Sequence, residues 1–292
     1  MKILVCLKEA IDPALALDAG LENPVLFGRG LPRRLDAASA AALAHALEMK
    51  AADSAVEIIA VSIGHRDVEK YLRDALAFGA AKAERICDEG PNSTPFRKAL
   101  LLAGAASLEG ADMIFTGARS LDTASGQVAG LVAARLGWPC VLDAVNLEME
   151  GDKKVILVRD VGRGEREKVR CPLPAIVGFK GEGKLPYASL EKLIESRQSP
   201  LARVNPADLG IAAPELNNDP TRSTGPVFPR PRPRKAPPLD SSLPAFERIL
   251  QLLQGGISRR RGLVLTGDAE AMAGRLFELL KEAGVLKPAA KK

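Results

Sequence analysis

A chain of 292 residues with 47% apolar side chains can bury a sizeable core, and its length points to one large domain or one domain with an appendage. The net charge of +5 is concentrated in Pro229–Lys235 and Arg259–Arg261, and with 4% aromatics and no nucleic-acid module nothing points to a nucleic-acid partner. The cysteines, Cys6, Cys87, Cys140 and Cys171, form no C-x-x-C pair, and His45 and His65 adjoin no nucleophile segment, which argues against metal-site and hydrolase chemistry.

Residues 2–7 read as a fully buried strand. Lys8 and Glu9 then break the apolar run too early for a secretory signal. No later run approaches the roughly 18 residues that span a bilayer, so a cytoplasmic protein is expected. Residues 12–35 hold Pro13, Pro24, Gly28, Gly30 and Pro32 without a period, and read as a long loop or loose hairpin. Asp36 suits the N-cap of an alanine-rich helix running to about Ala52. Val56–Ile63 is a second buried strand ended by Gly64, and Arg66–Phe78 a helix ended by Gly79. Arg85–Cys87 is a short strand. Thr94-Pro95 opens a helix to about Leu108, with Thr as cap and Pro at the first helical position.

The stretch Ala111–Val141 carries the chemistry. Met113-Ile114-Phe115 has the length of a buried strand and ends in Gly117-Ala118-Arg119-Ser120. A polar turn, Asp122-Thr123-Ala124-Ser125-Gly126, precedes a helical pattern from Val128 to Leu136, stopped by Gly137 and Pro139. A strand, a small-residue loop and a helix N-terminus form a geometry that binds phosphates, because free N–H groups and the helix dipole favour an anion there. Gly117 and Gly126 would let a ligand approach the main chain. Ser120, Ser125 and Gln127 would supply hydrogen bonds to a ribose or phosphate.

Strands alternating with helices predict an α/β fold with a mostly parallel sheet covered on both faces. Such sheets bind ligands at the strands' carboxyl ends, where Cys6, Ser62-Ile63-Gly64 and Gly117-Ala118 would converge. Beyond Pro139, the runs Val141–Met149, Lys154–Arg159 and Ala175–Phe179 lack intervening helices and are expected to extend the sheet antiparallel at one side, with a turn at Gly151-Asp152. Gly178–Lys184 fits G-x-x-x-x-G-K, but Leu185 stands where a P-loop needs Ser or Thr, so it reads as a glycine-rich surface loop. Residues 1–199 are assigned to the nucleotide-binding domain. Residues 200–292 form an arm with a polyproline stretch at Phe228–Lys235 and helices over Ala245–Gln254 and Ala269–Ala283, which needs another surface to dock on.

The wording of the loop, Thr116-Gly117, Arg119-Ser120-x-Asp122, Gly126-Gln127-Val128 and Leu136-Gly137-Trp138-Pro139, resembles the nucleotide loop of the electron transfer flavoprotein beta subunit. Lys2–Lys8 with Asp12-Pro13, Ala46–Lys50, Ile59–Gly64, Leu72–Ala80, and Val158-Arg159-Asp160 through Glu165, Glu167 and Val169 to Leu173–Val177 follow in that family's order. The resemblance covers about residues 1–200, and the tail resembles that of longer bacterial members. It implies a Rossmann-like three-layer sandwich of the adenine-nucleotide-binding type. It also implies a heterodimer with an alpha subunit that carries most of the FAD site, transferring electrons between acyl-CoA or other flavin dehydrogenases and a quinone-linked or other acceptor. Asp36, Arg119, Asp122, Thr123 and Val128 are then nucleotide-site residues, Leu190 is the anchor that meets partner dehydrogenases, and no side chain acts as acid, base or nucleophile.

The occupant of the chain's own site stays open between AMP and a second FAD, the latter with NAD as electron source in a bifurcating member. Gln127-Val128 leans toward the bifurcating branch. Ala124, where that branch has a second aspartate, leans away, and Asp36-Ala37 replaces the family's Asn-Pro. The competing readings are a stand-alone ATP- or AMP-binding module of related fold and a scaffold with an empty site.

Overall fold

Apolar pentamers and heptamers supply the centre of this molecule. In the computed structural model, residues 1–12, 32–88, 94–181, 183–221, 242–253 and 264–285 are described. The order is β1 (Lys2–Cys6), β2 (Glu9–Ile11), β3 (Arg33–Leu35), α1 (Ala37–Ala52), β4 (Glu57–Ile63), α2 (Glu69–Phe78), β5 (Lys82–Ile86), α3 (Pro95–Glu109), β6 (Met113–Gly117), α4 (Val128–Leu136), β7 (Cys140–Glu150), β8 (Lys154–Gly162), β9 (Glu165–Pro172), β10 (Ala175–Phe179), α5 (Leu190–Gln198), β11 (Ala202–Val204), α6 (Ala213–Asn217), α7 (Ala245–Leu253) and α8 (Ala269–Glu282). The chain divides into two compact units, Met1–Pro226 and Val227–Lys292.

One sheet runs β11-β5-β4-β1-β6-β10-β7-β8-β9. It is parallel from β11 to β7, and β8 and β9 continue it antiparallel. Helices cover both faces, so the central strands bury the side chains between their ends and read as largely apolar runs. Ile3, Val5, Met113 and Phe115 join α1 and α2 on one face. Leu4, Ile59, Val61 and Ile114 join α3 and α4 on the other. This is the α/β sandwich that the alternation of elements predicts.

The caps hold where the sequence places them. Asp36 accepts from the Ser39 N–H, Thr94 Oγ1 accepts from the Arg97 N–H with Pro95 next to it, and Gly79 and Gly137 end their helices with positive φ. The segment between Asp12 and Leu35 begins and ends as an antiparallel ribbon, β2 on β3, while residues 13–31 lie outside the described ones. The polyproline stretch Phe228–Lys235 also lies outside them.

One expectation is corrected, and two features go beyond the pattern. Of the three runs after Pro139, only Lys154–Arg159, in β8, turns antiparallel: β7, which holds Val141–Met149, pairs parallel with β10, and β10 inserts parallel between β6 and β7 with all five of its residues buried. Glu165–Pro172 is a strand that the pattern does not reveal. It is the outer edge of the sheet, and its charged side chains alternate over mostly exposed positions. The segment after β10 runs without helix or strand, and a Cβ on Gly183 would stand 2.4 Å from the Cα of Ala41, so this glycine lets it lie directly on α1.

After α5, β11 adds to the sheet edge beside β5. Thr94 donates to Asp219, and Arg97 Nη1 donates to the Leu216 carbonyl at 3.4 Å, tying residues 216–219 to the head of α3. In the second unit, α7 and α8 leave Phe246, Ile249, Leu253, Leu276 and Phe277 exposed.

Candidate nucleotide site

Strand β1 lies between β4 and β6, and the chain leaves these neighbours in opposite directions: from β1 through α1 on one face to β4, and from β6 through α4 on the other face to β7. That reversal opens a crevice at the strands' carboxyl ends. Cys6 and Lys8 from the end of β1, the loop after β6, and the N-termini of α1, α3 and α4 all approach this edge.

The loop after β6 is fixed by a residue far away in sequence. Asp36 is 1% exposed, and its two carboxylate oxygens accept from the N–H groups of Leu121 (2.8 Å) and Ser39 (3.2 Å). The Asp36 N–H in turn donates to the Lys8 carbonyl at 2.9 Å, and the Lys8 N–H to Ser39 Oγ at 3.3 Å. Each Asp36 oxygen accepts one main-chain N–H, so this side chain positions the loop against α1.

Lys8, which the sequence pattern does not single out, joins this loop. Its ammonium pairs with Asp122 and donates to Ser120 Oγ at 2.8 Å and Thr123 Oγ1 at 3.4 Å. Ser120 and Thr123 also bond each other at 2.9 Å. The signal available was a lone lysine two residues beyond a buried strand end, aimed where the neighbouring strand also ends. Burial opposes ionisation of Asp122, but the bonds from Lys8, Ser120 and the Thr123 N–H outweigh it and hold the carboxyl below its usual value.

The other expected residues divide. Cys6, Ser62, Ile63 and Gly64 lie at the ends of β1 and β4. Ser62 is buried and donates to the Leu7 carbonyl at 2.9 Å, so it joins strands. The Gly64 carbonyl accepts from Arg85 at 3.0 Å. Burial pushes the Cys6 thiol, partly exposed at the end of β1, up to about 12, which favours the protonated form near neutral pH. Gly117 is glycine because α1 approaches: an added Cβ would sit 2.8 Å from that of Ala38. Thr123, Ser125 and Gln127 are exposed on the loop, and a Cβ on Gly126 would stand 3.2 Å from Arg119 Cγ. Ala118 and Arg119 border a separate cavity of about 330 Å3 on the α1 side, with Ala38, Asp143, Phe179 and Lys180. Another hollow, of about 480 Å3, lies far along β7–β9 among Glu150, Lys154 and Arg170, where Arg170 is already paired with Glu150 at 2.7 Å.

Three features on the α3 and α4 side fit a phosphate-bearing ligand. Helix α4 begins at Val128 with Gln127 making no side-chain cap, so its first-turn N–H groups face outward. Thr116, two residues after Ile114 and so on the same face of β6, buries its hydroxyl without a partner among the described residues. Lys98, on the first turn of α3, is partly buried, and its ammonium makes no hydrogen bond or ion pair among the described residues. Among the described residues, no group of three or more His, Cys, Asp or Glu is placed to hold a metal ion. No described helix is long and apolar enough to cross a membrane.

Away from the crevice, Leu190 opens α5 at 74% exposure with Tyr187 and Ile194 also exposed. Arg73 Nη1 donates to the carbonyls of Ser196, Arg197 and Ser199 at 2.7, 2.8 and 3.1 Å, which fixes the end of α5 against α2.

The family model described as electron transfer flavoprotein domain matches residues 26–209. The chain is similar to the mitochondrial electron transfer flavoprotein subunit beta of Arabidopsis thaliana, 29% identical over 232 residues, covering 77% of this chain and 92% of that one. It is 30% identical over 229 residues to subunit CarD of the caffeyl-CoA reductase–Etf complex of Acetobacterium woodii, covering 76% and 86%. It is 27% identical over 215 residues to the human electron transfer flavoprotein subunit beta, covering 72% and 84%.

Proposed function

The chain belongs to the electron transfer flavoprotein family, among its beta subunits, and on that premise we propose that it binds a nucleotide, FAD or AMP, in the crevice between β1 and β6. The observation that carries this reading is the convergence of the Lys8–Asp122–Ser120–Thr123 cluster with the open N-terminus of α4. The lysine ammonium and the first-turn N–H groups of α4 are donors of the kind that suit a phosphate.

The partner in this reading is an electron transfer flavoprotein alpha subunit, with which the chain shares an FAD. Flavin carries the electrons when bound. This chain's residues bind, orient and shield. The exposed apolar side chains of α7 and α8 are the kind of surface that a permanent subunit covers. Leu190, held outward by the anchored α5, is the proposed contact for a flavin dehydrogenase, with a quinone-linked oxidoreductase as acceptor. NADH as an electron source would follow only if the crevice holds a flavin.

The test is co-purification with the alpha subunit and stopped-flow reduction by an acyl-CoA dehydrogenase. A yellow complex whose flavin is reduced by the dehydrogenase supports the reading. A colourless monomer that hydrolyses ATP would overturn it in favour of a stand-alone ATP-binding module.

A further inference from the structure

Lys98 is an unusual lysine for a helix surface. It lies on the first turn of α3, partly buried, and no acceptor among the described residues takes its ammonium. Its electrostatic neighbours are Lys8, Asp122 and Asp88. Both carboxylates are committed elsewhere. Asp122 pairs with Lys8, and Asp88 pairs with Arg97, whose Nε lies 3.0 Å from each carboxylate oxygen. Lys8 has its own partner, and Lys98 is the lysine of this group that makes no hydrogen bond or ion pair among the described residues.

Main-chain donors on α3 do not explain the charge. Thr94 Oγ1 already accepts the Arg97 N–H, Pro95 has none, and the Lys98 N–H donates to the Thr94 carbonyl. An anion near Lys98 would therefore meet the side chain and, of the first-turn N–H groups, at most that of Phe96. Helix α4, packed beside α3, offers the opposite arrangement: an uncapped first turn of main-chain donors and no lysine. Both helices start at the carboxyl edge of the sheet, so the two anion-attracting features share one crevice. The buried, unpartnered Thr116 hydroxyl lies on the face that α3 and α4 cover.

We propose that Lys98 sets the number of phosphates this crevice takes: the α4 N-terminus holds one phosphate, Lys98 pairs with a second, and the site prefers a diphosphate, as in a nucleoside diphosphate or a dinucleotide, to a nucleoside monophosphate. This rests on the nucleotide-site reading above and adds a specificity residue to it. Burial, and then the charge of Lys8, lower the pKa of Lys98 against the pull of Asp122 and Asp88. A phosphate supplies the acceptor that such an ammonium lacks.

The experiment is calorimetric titration of the full-length chain, freed of endogenous nucleotide, with AMP and with ADP. Wild type is expected to bind ADP about tenfold or more tighter than AMP, the effect of one charge-assisted hydrogen bond. Lys98→Met should bring ADP down to the AMP level and leave AMP unchanged, and Lys98→Arg should keep most of the preference. Removing an unpaired, partly buried ammonium does not threaten the helix. A thermal melt checks this, and Lys98→Gln provides a second neutral variant. Equal loss of AMP and ADP affinity, or no change in either, overturns the role of Lys98 while the nucleotide site stands. A folded wild type that binds neither nucleotide overturns the site itself, and the proposal with it.

Discussion

Asp36 and Leu121 are 85 residues apart in the chain and joined by a 2.8 Å hydrogen bond from the Leu121 N–H to the buried carboxylate. With the Ser39 bond, it makes one side chain both the cap of α1 and the anchor of the loop after β6. Asp36→Ala is expected to destabilise the fold by about 1–3 kcal/mol, since it removes a cap and leaves the Leu121 N–H without its partner. Asp36→Asn keeps one acceptor and should cost less. Urea unfolding of the two variants measures the difference, and equal midpoints would contradict the double role.

The Lys8–Asp122 pair makes a pH prediction. Burial opposes ionisation of Asp122, its bonds to Lys8, Ser120 and Thr123 outweigh that, and the folded pKa lies below the unfolded one. Its contribution is then fully present above the unfolded value of about 4 and is lost as the pH falls through the folded value. Wild type should lose more stability than Asp122→Asn between about pH 5 and pH 3. Parallel denaturation curves across that range would show that the pair contributes nothing.

Cys6 should be silent to thiol reagents. Its pKa is pushed up to about 12 by burial, so almost no thiolate exists near neutral pH. Labelling of the native chain followed by peptide mapping should leave Cys6 unmodified, with reaction only after denaturation. Rapid native labelling at Cys6 would mean that the strand end is open to solvent.

Leu190 is 74% exposed, and its removal should leave the fold intact. Leu190→Ala is expected to shift stability by less than about 0.5 kcal/mol while slowing reduction by a dehydrogenase about tenfold or more. Unfolding and stopped-flow reduction, run on the same preparation, separate the two effects. An unchanged reduction rate would remove Leu190 from the contact.

Ala124 holds φ at +48° in the loop, a conformation that costs a residue with a Cβ about 1–2 kcal/mol. Ala124→Gly relieves that strain and loses part of the gain to chain entropy. The net result expected is a stabilisation of up to about 1 kcal/mol, read from the thermal midpoint. A clear loss of stability would indicate that the methyl group is packed.

Much of the fold was legible because its boundaries are written locally. Asp36, Thr94-Pro95, Gly79 and Gly137 act within a turn of where they stand, and runs such as Ile59–Ile63 and Met113–Phe115 announce burial on both sides. Pairing is not local, and β10 shows this: five apolar residues after two hairpin strands give no sign that their partners are β6 and β7. Edge strand β9 was hidden because charged residues occupy most of it. In the site, the loop could be read from its small and polar residues. The places of Lys8 and Lys98 could not, because one looked like a strand end and the other like an ordinary helix lysine, and only the fold brings both near Asp122.

The most direct measurement is the nucleotide content of the complex purified with its alpha subunit, denatured and resolved by HPLC. Expected are two nucleotides per heterodimer, the shared FAD and one held by this chain, which is a second FAD rather than AMP where Lys98 acts as proposed. One FAD with no second nucleotide would contradict a nucleotide site in the crevice of this chain.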